Sequence, residues 1–300
     1  MQKLSNLLLA LIFLSSLFFF SCTRELKRQE EISRPFEISQ IPTLSAGGMT
    51  EVKAPPSQVE VSTPSPELYP STVGSANPKV AALIEEGREE MRAGRLNQAI
   101  AKFKEVLESE PQNAIALYNL GKSYRELGDT ENAIKYSKMA VEADPEMLYV
   151  HQNLAYAYMS AGKVEEAMSE FEEELRRHPD EPHLAGIAVT LGNIYFERQL
   201  MEEAFDAAKK ATLLDPKDPA GYILLGRVNF KNGAWDNAIK AFEEAVKLAP
   251  NNAEPRKLLA DALWEAGRKE EARIRYGEAV ALDPKLKQSI DPQRLPENSQ

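Results

Sequence analysis

Apolar residues recur at helical spacing through most of the chain after about position 80. Residues 114–147 show the unit most clearly, as one apolar helix face, a turn signal and a second face. The first face consists of Leu117, Leu120, Gly121 and Tyr124, and the second of Ala133, Ile134, Ala140 and Val141. Gly128 separates the two faces, because a helix often ends at a left-handed residue, which favours glycine. Pro145 ends the second helix, so the pattern predicts a helical hairpin.

The hairpin is copied six times, and its proline recurs at intervals of 34, 34, 37, 34 and 34 residues. This proline column is Pro111, Pro145, Pro179, Pro216, Pro250 and Pro284. Alanine stands twelve residues earlier in every copy, at Ala99, Ala133, Ala167, Ala204, Ala238 and Ala272. Glycine stands seventeen residues earlier in five copies, at Gly94, Gly128, Gly162, Gly233 and Gly267, with Gln199 in the sixth. A fixed period in the thirties predicts an array of stacked units.

A column of small residues predicts that the two helices of each hairpin approach closely. Its members, twenty-four residues before each proline, are Gly87, Gly121, Ala155, Gly192, Gly226 and Ala260. The single interval of 37 adds three residues within HPDEPHLAG, before the fourth copy. Because loop insertions cost little, a longer turn is the first interpretation, and a functional protrusion is the alternative.

The spacing of leucine, glycine, tyrosine, alanine and proline within 34 residues resembles the tetratricopeptide repeat. That resemblance implies an all-α fold, a right-handed α-α superhelix (solenoid) of six hairpins over residues 80–286. Glu86 and Glu90 stand in the first copy where the second has Leu120 and Tyr124, as expected of a polar cap. Proteins of this family bind other proteins, so the resemblance implies an interaction scaffold.

Near the start of the chain, Lys3 precedes an apolar run from Leu7 to Phe20. This pattern predicts a signal peptide over residues 1–21. Cys22, the only cysteine, follows directly and resembles the lipidated cysteine of bacterial lipoproteins. Thr23 after this cysteine implies the outer membrane, with the protein on the periplasmic face. The alternatives are an uncleaved signal anchor in the inner membrane and a coincidental cysteine.

Two segments are predicted to be disordered, because they contain too few apolar residues to offset the entropy of ordering. Residues 22–79 form a linker rich in proline and serine, and eight of the chain's nineteen prolines lie in it. Residues 287–300 form a polar tail that contains Pro292 and Pro296 and is expected to stay loose. The repeat array would therefore be held near a membrane by a flexible tether.

The formal charge of −10 argues against binding to nucleic acid or to anionic lipid, so the membrane is reached only through the lipid anchor. Most of the acid lies in runs such as Glu165–Glu166 and Glu172–Glu173–Glu174, which are expected to be solvated helix faces. No phosphate-binding loop, paired metal motif or nucleophile elbow is present, so we expect no enzyme, cofactor or metal. His151 is expected to pack in the interior, since it aligns with Leu117.

The family resemblance implies that the first helix of each hairpin lines a concave peptide-binding groove. The residues that the repeat register assigns to this groove are Tyr118, Asn119, Lys122, Asn153, Tyr156, Asn193, Phe196, Arg227, Phe230 and Trp264. One interpretation is that asparagines hold a peptide backbone while aromatics and Arg227 act as anchors, for an extended or a helical peptide. The other is that these are ordinary repeat residues.

Six repeats behind a lipoprotein signal resemble the pilotin lipoproteins of type IV pilus assembly. This resemblance implies help in placing an outer-membrane secretin. The first alternative is an adaptor for peptidoglycan hydrolases or proteases. The second is a self-associating structural protein of the envelope, a homo-oligomer formed through the C-terminal face, where Ile274 and Val280 have no following helix to cover them.

Overall fold

The computed structural model describes residues 77–296, and the predicted signal peptide, Cys22 and nearly all of the linker lie outside them. Within these residues the chain forms twelve α-helices and no strand. They are α1 Pro78–Arg92, α2 Leu96–Ser109, α3 Ala114–Glu126, α4 Thr130–Ala143, α5 Val150–Ser160, α6 Val164–Arg177, α7 Ala185–Glu197, α8 Met201–Leu214, α9 Pro219–Lys231, α10 Trp235–Leu248, α11 Ala253–Glu265 and α12 Lys269–Leu282. None of these helices is long and apolar enough to cross a bilayer.

The helices pair as six antiparallel hairpins, with α1, α3, α5, α7, α9 and α11 as the first helices. Each first helix packs against its own second helix, and from α3 onward also against the second helix of the preceding copy. Asn113, Asp218 and Asn252 cap α3, α9 and α11 by accepting a backbone hydrogen bond. The all-α solenoid of six hairpins that the sequence predicts is therefore confirmed.

The small-residue column lies where the two helices of a hairpin meet. An added Cβ at Gly87 would lie 2.6 Å from the Phe103 ring, and one at Gly226 would overlap the Phe242 ring. Both rings are completely or almost completely buried. The first helix therefore needs glycine here because the ring of the second helix occupies the side-chain space. The aligned alanine column is also fully buried, at Ala99, Ala133, Ala167, Ala204, Ala238 and Ala272.

The turn between the two helices is left-handed in all six copies. The five glycines have φ between 71° and 80°, and Gln199 adopts the same conformation with φ of 61°. The amide of Gln199 donates to the Phe196 carbonyl, and the amide of Leu200 donates to the Tyr195 carbonyl. The second copy makes equivalent bonds around Gly128, so the fourth copy turns in the same way with a strained residue.

The three extra residues before the fourth copy form a short 3₁₀ turn, Pro182–Leu184, that runs directly into α7. Leu184 is fully buried in the main core. The longer-turn interpretation is thus confirmed over a protrusion, because the insertion brings an apolar residue into the core.

The expectation of a loose tail over residues 287–300 is wrong for the part that the structure describes, up to Pro296. This segment forms 3₁₀ turns at Pro284–Gln288 and Pro292–Arg294. Ile290 and Leu295 are 5% and 8% exposed and pack into the cluster of the sixth hairpin. Val280 contacts that cluster, while Ile274 stays exposed. Two apolar anchors in a polar segment are enough to hold it, so the last hairpin does not present a wholly open face.

We expect Gln199→Gly to stabilise the array by about 1 kcal/mol, because glycine removes the cost of holding a side chain at positive φ. The reverse change Gly128→Gln is the matched control and should destabilise it by a similar amount, since open space surrounds Gly128 and only the backbone is strained. Chemical denaturation of both variants measures the two free energies. A lower unfolding free energy for Gln199→Gly would contradict the strain argument.

Candidate functional site

The predicted groove residues lie on successive first helices, from α3 to α11. Seven of the ten are partly exposed: Lys122, Tyr156, Asn193, Phe196, Arg227, Phe230 and Trp264. Side-chain contacts between neighbouring first helices involve Tyr156, Asn193, Phe196 and Arg227. Most of the predicted site thus lies at partly exposed positions of the first helices, and we call these seven residues the groove strip.

The other three predicted residues lie in the interior. Tyr118 belongs to the main core cluster, Asn119 is 1% exposed and Asn153 is 5% exposed. The Asn119 amide donates to the Ile115 carbonyl of its own helix, at 2.8 Å. The Asn153 amide donates to the Tyr118 carbonyl and to Ser137 Oγ, both at 3.1 Å. These two amides are committed to internal bonds, so the expectation that they hold a ligand's backbone is wrong.

Tyr156 connects three first helices. The Arg125 guanidinium of α3 lies 5.5 Å from the ring centroid, and the hydroxyl is a hydrogen-bond neighbour of Thr190 on α7. The ring meets Phe171 edge to face at 5.2 Å. Burial raises the pKa of the Tyr156 hydroxyl above its ordinary value. Tyr156 is therefore a fixed neutral aromatic surface with a cation on one side.

Arg227 joins α9 to α7. One of its nitrogens donates to Asn193 Oδ1 at 2.9 Å, and a second donates to Glu197 Oε1 at 3.3 Å. Its guanidinium carbon lies 4.5 Å from the centroid of the Phe196 ring. These contacts order the long arginine side chain, so a ligand that binds here would lose less conformational entropy in that side chain.

The last two aromatics of the groove strip are both in contact with the array itself. Phe230 meets Trp235 edge to face at 5.0 Å. Trp264 has three cations near its ring, from Lys269 and Arg273 of α12 and from Arg294 of the tail, at 5.4, 5.8 and 5.0 Å. Phe230 remains open as a ligand contact, whereas the chain already occupies the surroundings of Trp264.

A buried carboxylate holds the start of α5, the helix that carries Tyr156. Glu174 is 0% exposed, and its two oxygens accept the backbone N–H of Tyr149 at 2.6 Å and of Gln152 at 3.0 Å. The expectation that the whole glutamate run is solvated is therefore wrong for Glu174. Burial raises its pKa above the ordinary value, although the two N–H bonds oppose this.

Two departures from the repeat could have revealed this carboxylate. Glu174 aligns with Val106, Ala140, Ala211, Ala245 and Ala279, which are all buried. The capping position before the first helix holds Asn113, Asp218 or Asn252 in other copies, but Met147 in the third. A lost cap and a gained interior carboxylate in one copy are the joint signal, since free helix N–H groups require an acceptor.

The histidines show no metal-binding arrangement, because within residues 77–296 no three metal-ligating side chains come together. His151 is 5% exposed and shares a 2.6 Å hydrogen bond with Glu170, as expected of an interior residue. His178 and His183 each lie 3.9 Å from a carboxylate, of Glu174 and Glu181 respectively. The first contact is made to a carboxylate of α6, and the second stays within the turn before α7.

The hairpin array and its groove strip define a helical-repeat protein of the kind that binds other proteins. Two models of the tetratricopeptide repeat match the sequence, one at residues 84–147 and 189–253 and the other at 124–188 and 229–289. Together they cover more than half of the chain, which therefore belongs to the tetratricopeptide repeat family. Proteins of this family are generally non-enzymatic interaction scaffolds. A search of curated proteins gave no significant match.

Solved structures with the same fold include YrrB, PilW and MamA. YrrB, described as having an unusual peptide-binding site, aligns with a TM-score of 0.57 at 18% identity, over 64% of this chain and 98% of its own. PilW, described as a type IV pilus biogenesis factor, aligns with a TM-score of 0.56 at 19% identity, over 71% and 99%. MamA aligns with a TM-score of 0.53 at 23% identity, over 59% and 96%. At these identities the likeness is one of fold.

We expect the Glu174 carboxylate to make stability fall with rising pH. Because the folded-state pKa is raised, the stability of wild type relative to Glu174→Gln should be greatest below the ordinary pKa of 4.5 and decline as pH rises through the folded value. Urea denaturation of both proteins across pH 3–8, a range of about five units around these pKa values, measures the difference.

The adjacent Glu173 provides a control of opposite sign. Hydrogen bonds from Arg176 and then Arg177 lower the pKa of Glu173 to about 2. The stability of wild type relative to Glu173→Gln should therefore be fully present above pH 4.5 and be lost as pH falls towards about 2. Equal slopes for the two variants would contradict the assignment of Glu174 as the buried group.

Proposed function

We propose that this protein is a scaffold of the bacterial cell envelope that binds a segment of a partner protein along the groove strip. The observation that carries the proposal is that side-chain contacts link four successive first helices: Tyr156 on α5 contacts α3 and α7, and Arg227 on α9 contacts Phe196 on α7. Aromatic and arginine side chains are the usual anchors of protein interfaces. The curved face of a helical-repeat array offers an extended surface for a peptide.

The proposed location rests on the first twenty-two residues. An apolar run that ends two residues before the only cysteine supports export and lipidation at Cys22, with the linker as a tether from the outer membrane. The acidic charge of the chain suits attachment through lipid, because an acidic surface is repelled by anionic headgroups.

The proposed process is assembly of an outer-membrane secretin or pilus machine. The fold likeness to PilW, which extends over 99% of that protein, supports this choice, and so does the combination of six repeats with a lipoprotein signal. Capture of partners from detergent-solubilised envelope tests it. Recovery of a secretin or pilus subunit supports the proposal, whereas recovery of peptidoglycan hydrolases or proteases alone would favour the adaptor alternative.

We expect Phe196→Ala combined with Phe230→Ala to abolish partner capture. Truncation of an aromatic anchor costs about 2 kcal/mol or more, which is roughly thirtyfold in affinity for each ring. Both rings are partly exposed, so helical content by circular dichroism should change little.

The matched control is Phe205→Ala, because Phe205 is also half-buried but lies on the second helix α8. This variant should capture the partner as wild type does. If the double variant folds and still captures every partner, the site lies away from the groove strip.

We expect Cys22→Ala to release the protein from the membrane fraction or leave it unprocessed, because no other thiol is present to carry the lipid. Labelling with radioactive palmitate and fractionation of the envelope measure this. Incorporation of label into the variant equal to that of wild type would refute lipidation at Cys22.

A further inference from the structure

The segment after α12 covers the last hairpin in place of a further repeat. In each earlier copy the first helix of the next copy packs against the preceding second helix, and after α12 the tail does so. Ile290 and Leu295 insert into an apolar cluster that includes Leu259, Leu263 and Tyr276. An added Cβ at Gly277 would lie 3.0 Å from Pro296, so the tail also approaches the α12 backbone closely.

Arg294 takes this segment to the end of the groove strip. Its guanidinium carbon lies 5.0 Å from the Trp264 ring centroid, and Nη1 donates to the Tyr276 hydroxyl at 3.2 Å. Its nitrogens lie 3.8 Å from an Asp261 oxygen and 3.6 Å from a Glu265 oxygen. Tyr276 in turn donates to Asp261 at 2.5 Å. One guanidinium thus meets an indole, a hydroxyl and two carboxylates, which is a specific set of partners for arginine.

The arginine, together with Leu295 and Pro296, completes the contacts at this end of the array. Asp261 is also paired with Lys257 at 2.9 Å, whereas the exposed Glu265 has no ion pair within residues 77–296 other than that with Arg294. Tyr276 Oη would lose the donor at its acceptor side. Leu295 is 8% exposed and packs in the same apolar cluster as Tyr276, so its removal would expose part of that cluster. The arginine, leucine and proline of the tail therefore fill three adjoining parts of one site.

We propose that the end of the groove at Trp264 is a recognition site for an arginine–leucine–proline segment, filled in this structure by residues 294–296, and that a partner protein segment of the same chemistry displaces the tail. The inference rests on the proposed function, because it names a sequence that a partner would present to the same surface. The tail is suited to displacement because it consists of short 3₁₀ turns and is held by few side chains. Because the tail belongs to the same chain, its effective concentration at the site is high. A separate peptide therefore binds well only when the tail's own binding to the site is weakened.

The test uses the full-length protein with Arg294→Ala and Leu295→Ala, and a fluorescent peptide with the wild-type sequence of residues 284–296. Fluorescence anisotropy should show that this variant binds the peptide at least about tenfold more tightly than wild type, whose own tail competes. A peptide with alanine at the same two positions should not bind. Trp264→Ala added to the tail variant should remove binding of the wild-type peptide.

Two results would overturn the proposal: no binding of the peptide to the folded tail variant, or equal binding to the variant and to wild type. If circular dichroism shows that the double variant has lost helix, Arg294→Glu alone replaces it, because Leu295 then still covers the hairpin. The Phe196→Ala, Phe230→Ala protein carrying the tail changes should still bind the peptide. This variant therefore distinguishes failure of the proposal for the Trp264 site from failure of the proposed partner binding at Phe196 and Phe230.

Discussion

The rest of the structure depends on the close approach of the two helices within each hairpin. Where Gly87 faces Phe103, the ring occupies the space in which any side chain of the first helix would stand. Burial of a phenylalanine contributes about 1.5–3 kcal/mol, and this contribution requires the small partner. Gly226 with Phe242 repeats the arrangement. Because the contact is local, it can be copied along the chain without any long-range pairing.

The spacing of residues was sufficient to predict the hairpins, their turns and the face of each first helix. It was not sufficient to predict which groove positions are exposed, because a first helix contacts neighbours on both sides. Asn153 shows the difficulty. Ser137 stands where Phe103 and Phe171 stand in other copies, and the amide of Asn153 fills the space that a ring would occupy. The periodic pattern places Asn153 on a face, whereas a substitution in the preceding copy decides its burial.

The tail was mispredicted for a related reason. Composition describes the average of a segment, and residues 285–296 are polar on average. Burial was decided by a few residues, chiefly Ile290 and Leu295, because the last hairpin offers an apolar surface to the segment that follows it. Glu174 is the reverse case, in which a residue in an acidic run is buried because the start of α5 lacks its own cap. Both errors arise where the array departs from its period.

Departures from the period also distinguish one protein of this family from another. A residue that obeys the repeat, such as Ala133, reports only on the fold. Arg227 stacks on Phe196 and is already bonded to Asn193 and Glu197, so a partner that binds there exchanges bonds at one ordered cation and gains mainly from the aromatic surface. Arg294 satisfies the carboxylates of the sixth copy in the same way. A partner that binds along the groove strip as proposed would therefore be selected by which of these internal bonds it can replace.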